Sequence, residues 1–204
     1  MSLGVCEYRA ARHKLGKVHI MGLRWLQSIP GLSWQNTSKT AKEKAMVKVL
    51  MVCMGNICRS PMAEGVFRRL LQDVGLEDKV YVESAGTHAY HVGSFPDRRS
   101  QDVAQARGVD ISAIRARKVE IEDLDIFDYV IAMDDDNYRY LLGLCPAPNY
   151  REKIHRIMEY APESPIREVP DPYYGGRGGF MRVMDLVEES AQGLLLQIRE
   201  RHNL

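Results

Sequence analysis

The stretch Val47-Lys48-Val49-Leu50-Met51-Val52-Cys53-Met54-Gly55-Asn56-Ile57-Cys58-Arg59-Ser60-Pro61 decides the fold of this 204-residue chain. Five of its first six residues are apolar, and three of these are the β-branched valine, which predicts a buried strand. Ser60 suits the N-cap of a helix and Pro61 its first position. That helix is predicted to end at Gly75, and its apolar face consists of Ala63, Val66, Phe67, Leu70, Leu71 and Val74. A strand followed directly by a helix is the building unit of parallel α/β sheets.

The rest of the chain continues this alternation. Further strands are predicted at residues 80–82, 126–133 and 154–158, and helices at 97–107 and 134–142. The clearest periodicity predicts a last helix whose shared face consists of Phe180, Val183, Met184, Val187, Ala191, Leu194, Leu195 and Ile198. Such alternation implies right-handed crossovers between parallel strands. The sequence therefore predicts an α/β three-layer sandwich with a central, mostly parallel four-stranded sheet.

Composition excludes several classes of protein. Hydrophobic residues make up 45% of the chain, yet no run of 18 uncharged apolar residues occurs, which excludes a predicted membrane span. The four cysteines, Cys6, Cys53, Cys58 and Cys145, are too scattered for a disulfide scaffold. They indicate a soluble, cytoplasmic protein with one or two reactive thiols.

Charge divides the chain near Met46. Residues 1–45 carry eight Lys or Arg and two Glu, which is a net charge of +6. Because the whole chain has a net charge of +1, residues 46–204 carry a net charge of −5. An acidic main body argues against a role in nucleic-acid binding, since that requires a basic face. We interpret residues 1–45 as an N-terminal extension, either disordered or non-native, and residues 46–204 as one catalytic domain.

The junction between the first strand and the first helix has the composition of an anion site. Cys53 stands at the carboxyl end of its strand, where ligands bind in parallel sheets, and the helix start offers free amides. The next residues form a loop that can curl around a tetrahedral oxyanion, with Gly55 relaxing the backbone: Met54, Gly55, Asn56, Ile57 and Cys58. In this position Cys53 is favoured as a thiolate nucleophile, and Arg59 has the fork that grips a transferring phosphoryl group.

Two neighbouring side chains have supporting roles in this prediction. Asn56 tolerates a left-handed loop position and can tie the loop to its surroundings. The Ser60 hydroxyl can donate to the departing thiolate when a covalent intermediate breaks down. The sequence thus predicts a cysteine-dependent phosphoryl-transfer site.

This segment resembles the phosphate-binding loop of the low-molecular-weight protein tyrosine phosphatases. The similarity runs from about Met46 to the C-terminus and includes Ser84-Ala85-Gly86-Thr87, Pro96-Asp97, Ala116-Arg117, Asp128-Tyr129, Met133-Asp134 and Asp171-Pro172-Tyr173. The resemblance implies a flavodoxin-like fold of the phosphotyrosine phosphatase I type and hydrolysis of phosphotyrosine through a cysteinyl phosphate. It implies no metal or other cofactor, a phosphoprotein partner such as a tyrosine kinase, no nucleic-acid or membrane partner, and a monomer or weak dimer.

The resemblance also assigns residues outside the loop. It makes Asp171 the general acid that later activates water, and it places Tyr90, Tyr173 and Tyr174 around a slot for a phenyl ring. It further implies that Cys58 can form a reversible disulfide with Cys53.

One position departs from the family pattern. Where members often carry a histidine that supports the loop, this chain has Ile114. Asn56 and Ser84 therefore need another partner.

Three alternative functions were weighed. An arsenate reductase on this fold needs further downstream thiols, and only Cys145 is available. Phosphoarginine phosphatases of the family carry threonine at the position of Ile57, whose apolar side chain favours an aromatic substrate. A non-catalytic phosphotyrosine-binding module is the third alternative, but Cys53, Arg59 and Asp171 are all present. The histidines show no zinc spacing, and Asp134-Asp135-Asp136 suits a helix start better than a metal.

Overall fold

The computed structural model describes residues 46–204, so the predicted extension at 1–45 lies outside the described residues. Strands and α-helices alternate along the chain as β1 (Val47–Cys53), α1 (Arg59–Asp73), β2 (Val80–Gly86), α2 (Arg98–Ala106), α3 (Asp123–Ile126), β3 (Tyr129–Ala132), α4 (Asp135–Leu144), β4 (Ile154–Arg156) and α5 (Arg177–His202). Two 3₁₀ helices, Pro148–Lys153 and Ile157–Tyr160, flank β4.

The strands form one four-stranded sheet in the order β2-β1-β3-β4. All three pairings are parallel, and the register places Cys53 of β1 opposite Gly86 of β2. The predicted three-layer α/β fold is confirmed, and the sheet is parallel throughout.

Alternate residues of β1 point into two separate cores. Val49 and Met51 belong to a core that α1 and α5 cover with side chains such as Phe67 and Phe180. Leu50 and Val52 belong to the opposite core, which α3 and α4 cover with Leu124 and Leu141. Because β1 is buried on both faces, its sequence is apolar from Val49 to Cys53 rather than alternating, and its one charged residue, Lys48, lies near the start of the strand.

The predicted start of α1 is wrong by two residues. The helix begins at Arg59, and the N-cap position belongs to Cys58 without a side-chain cap. Ser60 lies inside the first turn, where its hydroxyl hydrogen-bonds Cys53 Sγ and the Ala85 carbonyl instead of capping the helix. At the other end, Gly75 follows α1 with φ +66°, as predicted for a helix stop.

Other predicted bounds also differ from the structure. The strand predicted at 80–82 extends to Gly86. The strand predicted from Ile126 starts at Tyr129, because Ile126 ends the short helix α3. The strand predicted at 154–158 ends at Arg156, where a 3₁₀ helix takes over. The run Gly175-Gly176-Arg177-Gly178-Gly179, whose glycines predict a loop, instead enters α5, which begins at Arg177. Asp134 caps α4, as the acidic run at its helix start predicted, and Asp97, the first residue of the predicted helix 97–107, is the N-cap of α2.

None of the helices within residues 46–204 has the length and apolar character to span a membrane.

Candidate active site

The loop between β1 and α1 is held from outside by its carbonyl groups. The carbonyls of Cys53, Met54 and Ile57 accept hydrogen bonds of 2.8, 2.9 and 2.7 Å from the amides of Thr87, His88 and Asp97. The amides of Gly55, Ile57 and Cys58 have no hydrogen-bond partner within residues 46–204. A curved loop whose carbonyls are bonded outward presents its free amides to an anion, and the start of α1 adds the positive end of its dipole.

Gly86, the last residue of β2, allows the loop to lie this close to the sheet. A Cβ atom at this position would stand 2.8 Å from the Met54 carbonyl oxygen and 3.1 Å from the Asn56 nitrogen. Any side chain here would push the loop away. Gly86, in the motif Ser84-Ala85-Gly86-Thr87, therefore shapes the anion site because it has no side chain.

Cys53 carries the sulfur at the base of the site and is 2% exposed. Its Sγ lies 3.0 Å from the Ser60 hydroxyl oxygen and 3.3 Å from the Asn56 backbone nitrogen. A hydroxyl and an amide that donate to sulfur both stabilise the thiolate form. These contacts favour a nucleophilic sulfur rather than an inert buried thiol.

Asn56 fixes the back of the loop. Its φ is +55°, the left-handed conformation that the sequence predicted, whereas Gly55 is outside that region and instead leaves room for the His91 ring. The Asn56 side chain accepts from the Arg117 amide at 2.9 Å and donates to the hydroxyls of Ser60 and Ser84, both at 2.9 Å. All the hydrogen-bonding capacity of this buried amide is used to hold the loop.

Arg59 lies at the opposite side of the loop and is 2% exposed. Its guanidinium donates to Asp134, to the Val169 carbonyl at 3.2 Å, and to Asp171 Oδ2 at 3.2 Å. Burial acts against the charge, but Cys53, Asp134 and Asp171 raise the pKa of Arg59 above its ordinary value. Arg59 therefore stays positively charged, and the carboxylates of Asp134 and Asp171 fix the orientation of its guanidinium.

Asp171 lies on the segment between β4 and α5, and its carboxylate reaches the site through its contact with the Arg59 guanidinium. Its side chain is 45% exposed, and its Oδ1 accepts a 3.1 Å hydrogen bond from the Tyr173 amide. The flanking prolines restrict the backbone of this segment. The carboxylate is thus fixed in place, yet it stays accessible to a ligand and to water.

A cavity of about 320 Å³ joins these groups. Its lining combines the sulfur, the loop, the arginine, the carboxylate and three tyrosines: Cys53, Met54, Gly55, Ile57, Cys58, Arg59, Tyr90, His91, Asp171, Tyr173 and Tyr174. The tyrosine walls are far more open than the base, since Tyr90 is 76% and Tyr174 98% exposed.

Most of the residues predicted from the sequence meet at this cavity. Two of them, Asn56 and Ser60, do not line it but are buried behind the loop. The sequence reasoning missed His91, which lines the cavity, and Glu64, which lies in the network behind it. A usable signal existed for Glu64, because it is a charged residue on the same helical face as the buried Phe67.

Cys58 lies beside Cys53, and neither of these buried cysteines forms a disulfide bond in the structure. Burial, followed by the charges of Asp97 and Cys53, raises the pKa of Cys58 to about 12, so it is a protonated thiol at neutral pH. The reversible disulfide between the two stays a prediction.

The described part of the chain contains no group of three His, Cys, Asp or Glu residues that could hold a metal ion. The site instead combines a thiolate-stabilising pocket, a ring of free amides, a buried arginine and an accessible carboxylate. This combination defines the class of enzymes that hydrolyse phosphate monoesters through a cysteine nucleophile.

Comparison with known families places the chain within that class. The family described as low molecular weight phosphotyrosine protein phosphatase matches residues 48–204. The chain belongs to this family, and it is therefore a protein-tyrosine phosphatase.

Individual relatives agree in sequence and in structure. The chain is 45% identical over 152 residues to a putative low molecular weight protein-tyrosine-phosphatase of Synechocystis, a match that covers 74% of this chain and 96% of that protein. The crystal structure of YfkJ from Bacillus subtilis has a TM-score of 0.74 at 40% identity and covers 78% of this chain and 98% of that one. A protein tyrosine phosphatase from Entamoeba histolytica has a TM-score of 0.73 at 42% identity, covering 76% of this chain and 98% of that one.

Proposed function

We propose that this phosphatase removes phosphate from phosphotyrosine in proteins in two steps, with Cys53 as nucleophile, Arg59 as the anion clamp and Asp171 as general acid and base. The observation that carries the proposal is the arrangement of Cys53 Sγ, the free loop amides and the Asp171 carboxylate around one cavity. Asp171 and the sulfur approach that cavity from different elements, as an in-line displacement requires.

In the first step the loop amides and Arg59 hold the three terminal oxygens of the phosphoryl group. The Cys53 thiolate attacks phosphorus, the S–P bond forms, and the bond from phosphorus to the phenolic oxygen breaks. Protonated Asp171 gives its proton to that oxygen, because a phenol leaves more easily than a phenolate. Arg59 acts most strongly as negative charge spreads over the equatorial oxygens in the transition state.

In the second step water replaces the sulfur. The Asp171 carboxylate, now ionised, takes a proton from the water as its oxygen bonds phosphorus and the S–P bond breaks. The Ser60 hydroxyl, 3.0 Å from Cys53 Sγ, stabilises the thiolate as it leaves. Inorganic phosphate is released, and Asp171 is protonated again for the next turnover.

The walls of the cavity support an aromatic substrate. Tyr90, Tyr173 and Tyr174 flank the entrance, and Ile57 gives the loop an apolar side chain at the cavity. A phenyl ring stacks well against such surfaces, whereas a phosphorylated serine is too short to reach both the walls and the sulfur. A similar solved structure at 33% identity is described as a Drosophila arginine phosphatase, so phosphoarginine is the competing substrate to test.

Partner, oligomeric state and location complete the proposal. We place the enzyme in the cytoplasm, because its nucleophile has to stay a reduced thiol. Its substrates there are phosphotyrosine proteins, with an autophosphorylated tyrosine kinase as one candidate, and it acts as a monomer or weak dimer without a cofactor.

A direct assay tests the function. The purified full chain is incubated with p-nitrophenyl phosphate and with peptides that carry phosphotyrosine, phosphoserine or phosphoarginine, each with and without vanadate. We expect hydrolysis of the aryl phosphates that vanadate inhibits competitively, because vanadate resembles the five-coordinate transition state. Faster release of phosphate from phosphoarginine than from phosphotyrosine would contradict the substrate assignment.

A further inference from the structure

Arg99 joins the start of α2 to the segment that carries Asp171, and the proposed mechanism does not use it. Its Nη1 donates a 3.0 Å hydrogen bond to the Tyr173 carbonyl, across 74 residues of sequence. Its guanidinium also lies over the rings of Tyr173 and Phe180, with the Cζ atom 5.5 and 4.5 Å from their centroids. One side chain on α2 therefore contacts both the segment between β4 and α5 and the first turn of α5.

Asp97 fixes the Arg99 guanidinium from its other side. Nε and Nη2 of Arg99 donate to the two carboxylate oxygens of Asp97 at 2.9 and 2.7 Å, a bidentate geometry that adds both strength and direction. These hydrogen bonds lower the pKa of Asp97 and raise the pKa of Arg99 from their ordinary values, so both groups are ionised at neutral pH. The Asp97 amide donates to the Ile57 carbonyl at 2.7 Å, which anchors the pair to the anion-binding loop.

The segment that follows Asp171 has few other attachments. Within residues 46–204, the hydrogen bond from Arg99 is the only one that links residues 172–175 to an element outside their own segment. The Gly175 amide bonds inside the segment, to the Pro172 carbonyl at 2.9 Å. Gly175 and Gly176 come next before α5, and glycine gives the backbone its greatest conformational freedom. The hydrogen bond from Arg99 therefore restrains a part of the chain that is otherwise weakly held.

The Tyr173 backbone in turn orients the Asp171 carboxylate. The Tyr173 amide donates to Oδ1 at 3.1 Å, the local bond of an Asx-turn. An N–H donor requires Oδ1 to stay an acceptor, so the proton of the general acid has to reside on Oδ2, the oxygen 3.2 Å from Arg59 Nη2. In the proposed reaction Arg59 uses its donors on the phosphoryl oxygens. The Tyr173 amide then remains as the hydrogen-bond partner that orients protonated Asp171.

We propose that Arg99 is a positioning residue: by holding the Tyr173 carbonyl against α2, it fixes the backbone that orients Asp171 for proton transfer to the leaving oxygen. This inference rests on the proposed role of Asp171 as general acid. Arg99 does not line the cavity, so it acts through the segment and not on the substrate. Its effect should appear in proton donation, whereas binding of the phosphoryl group depends on the loop amides and Arg59.

The variant Arg99→Ala removes the hydrogen bond to Tyr173. Phenyl phosphate and p-nitrophenyl phosphate are compared by kcat/KM, which measures the barrier from free enzyme and substrate. Phenol is the poorer leaving group and needs the proton more, so we expect kcat/KM to fall about tenfold for phenyl phosphate and less than about threefold for p-nitrophenyl phosphate. Inhibition by vanadate should stay within about twofold of the wild type, since the groups that bind the anion remain.

A double variant tests whether Arg99 acts through Asp171. Asp171→Asn removes the acid, so adding Arg99→Ala to it should change kcat/KM for phenyl phosphate by less than about twofold. A residue that only stabilised the fold would lower activity in both backgrounds. Arg98→Ala is the matched control, because Arg98 is the adjacent arginine, pairs with Asp102 on the surface and has a side chain that is 87% exposed. It should leave kcat/KM unchanged for both substrates.

Arg99→Lys tests the guanidinium fork and gives a second variant in case Arg99→Ala does not fold. An ammonium that stays with Asp97 has no planar fork with which to reach the Tyr173 carbonyl as well. We expect the same selective loss with phenyl phosphate, together with a Tm closer to that of the wild type than the Tm of Arg99→Ala.

Several results would overturn the inference. They are equal losses for the two substrates in Arg99→Ala, losses that add fully in the double variant, or wild-type kinetics in Arg99→Lys. Asp171→Asn alone is assayed beside these variants. If it slowed both substrates equally, the assignment of the general acid would be wrong. That result is distinct from one in which Asp171→Asn behaves as expected and Arg99→Ala does not.

Discussion

The base and the walls of the cavity differ in how firmly the protein holds them. At the base, Cys53, Asn56 and Arg59 are each no more than 2% exposed, and all are hydrogen-bonded to neighbouring elements. At the walls, Tyr90 and Tyr174 are largely exposed, and their aromatic contacts are with His88 and with Tyr173 beside them.

This difference separates chemistry from selectivity. Groups that stabilise a transition state have to be preorganised, and burial with complete hydrogen bonding achieves that. Groups that contact a variable substrate surface gain from being accessible and adjustable. Changes at the base should therefore affect the rate strongly, and changes at the walls should alter the choice of substrate modestly.

The largest effect is expected from Cys53→Ser. The hydroxyl occupies nearly the same volume, but it is not ionised near neutral pH and cannot replace the thiolate as nucleophile. Turnover of p-nitrophenyl phosphate should fall to the detection limit, while binding of phosphate measured by calorimetry should persist. Measurable turnover with a normal KM would remove Cys53 from the mechanism.

Arg59→Ala should damage binding and rate together. In the proposed mechanism the guanidinium contacts the equatorial oxygens in both the bound state and the transition state, and losing such a contact costs roughly 10²–10³-fold in kcat. Arg59→Lys should recover little, since an ammonium lacks the planar fork. Arg69→Ala, on the exposed side of α1, is the control for helix stability. An unchanged KM in Arg59→Ala would contradict its role as anion clamp.

Asp171→Asn should slow the reaction in a way that depends on the leaving group. Asparagine keeps the shape but cannot give a proton, so phosphotyrosine should slow by roughly 10²–10⁴-fold and p-nitrophenyl phosphate by much less. Asp134→Asn is the matched control, because Asp134 contacts the same guanidinium but does not line the cavity. It should slow all aryl phosphates alike. Equal slowing in Asp171→Asn would place the general acid elsewhere, with Asp134 and Asp97 the next candidates.

Changes at the walls should have smaller effects. Tyr90→Ala and Tyr174→Ala each remove one aromatic surface, which corresponds to an increase in KM for phosphotyrosine peptides of up to about tenfold. Their kcat should stay near that of the wild type. Tyr81→Ala, on β2, is the control for loss of an exposed tyrosine outside the cavity. A fall in kcat comparable to that of Asp171→Asn would show that the walls take part in the chemistry.

The smallest effect is expected from removing residues 1–45. The cavity, the sheet and both cores are built from residues 46–204. A protein that begins at Met46 should fold, as judged by circular dichroism, and hydrolyse p-nitrophenyl phosphate with the kcat and KM of the full chain. Loss of folding or activity would show that the extension belongs to the catalytic domain.

Much of this site could be predicted because its residues are close together in the sequence. Cys53 and Arg59 lie on one loop between a strand and a helix, and local patterns indicate both elements. The predicted start of α1 is two residues too late because a serine hydroxyl can either cap a helix or bond to other groups nearby. In the structure the Ser60 hydroxyl bonds to Cys53 Sγ and to the Ala85 carbonyl, and it does not cap the helix. Similarly, Ile126 suits a strand by its side chain but ends α3, where its amide donates to the Glu122 carbonyl and its side chain stays 51% exposed.

The sequence by itself determined the order of strands and helices, the position of the loop between β1 and α1, and the cysteine that we propose as nucleophile, since these depend on neighbours along the chain. The family resemblance had already assigned Asp171 to the site, but only the tertiary structure decided how the distant groups meet there. Asp134 and Asp171 meet Arg59 across 75 and 112 residues, and Ser84 bridges Asn56 to Glu64 from another strand. No local pattern encodes such contacts, because parallel strands bring their carboxyl ends together only when the sheet is assembled.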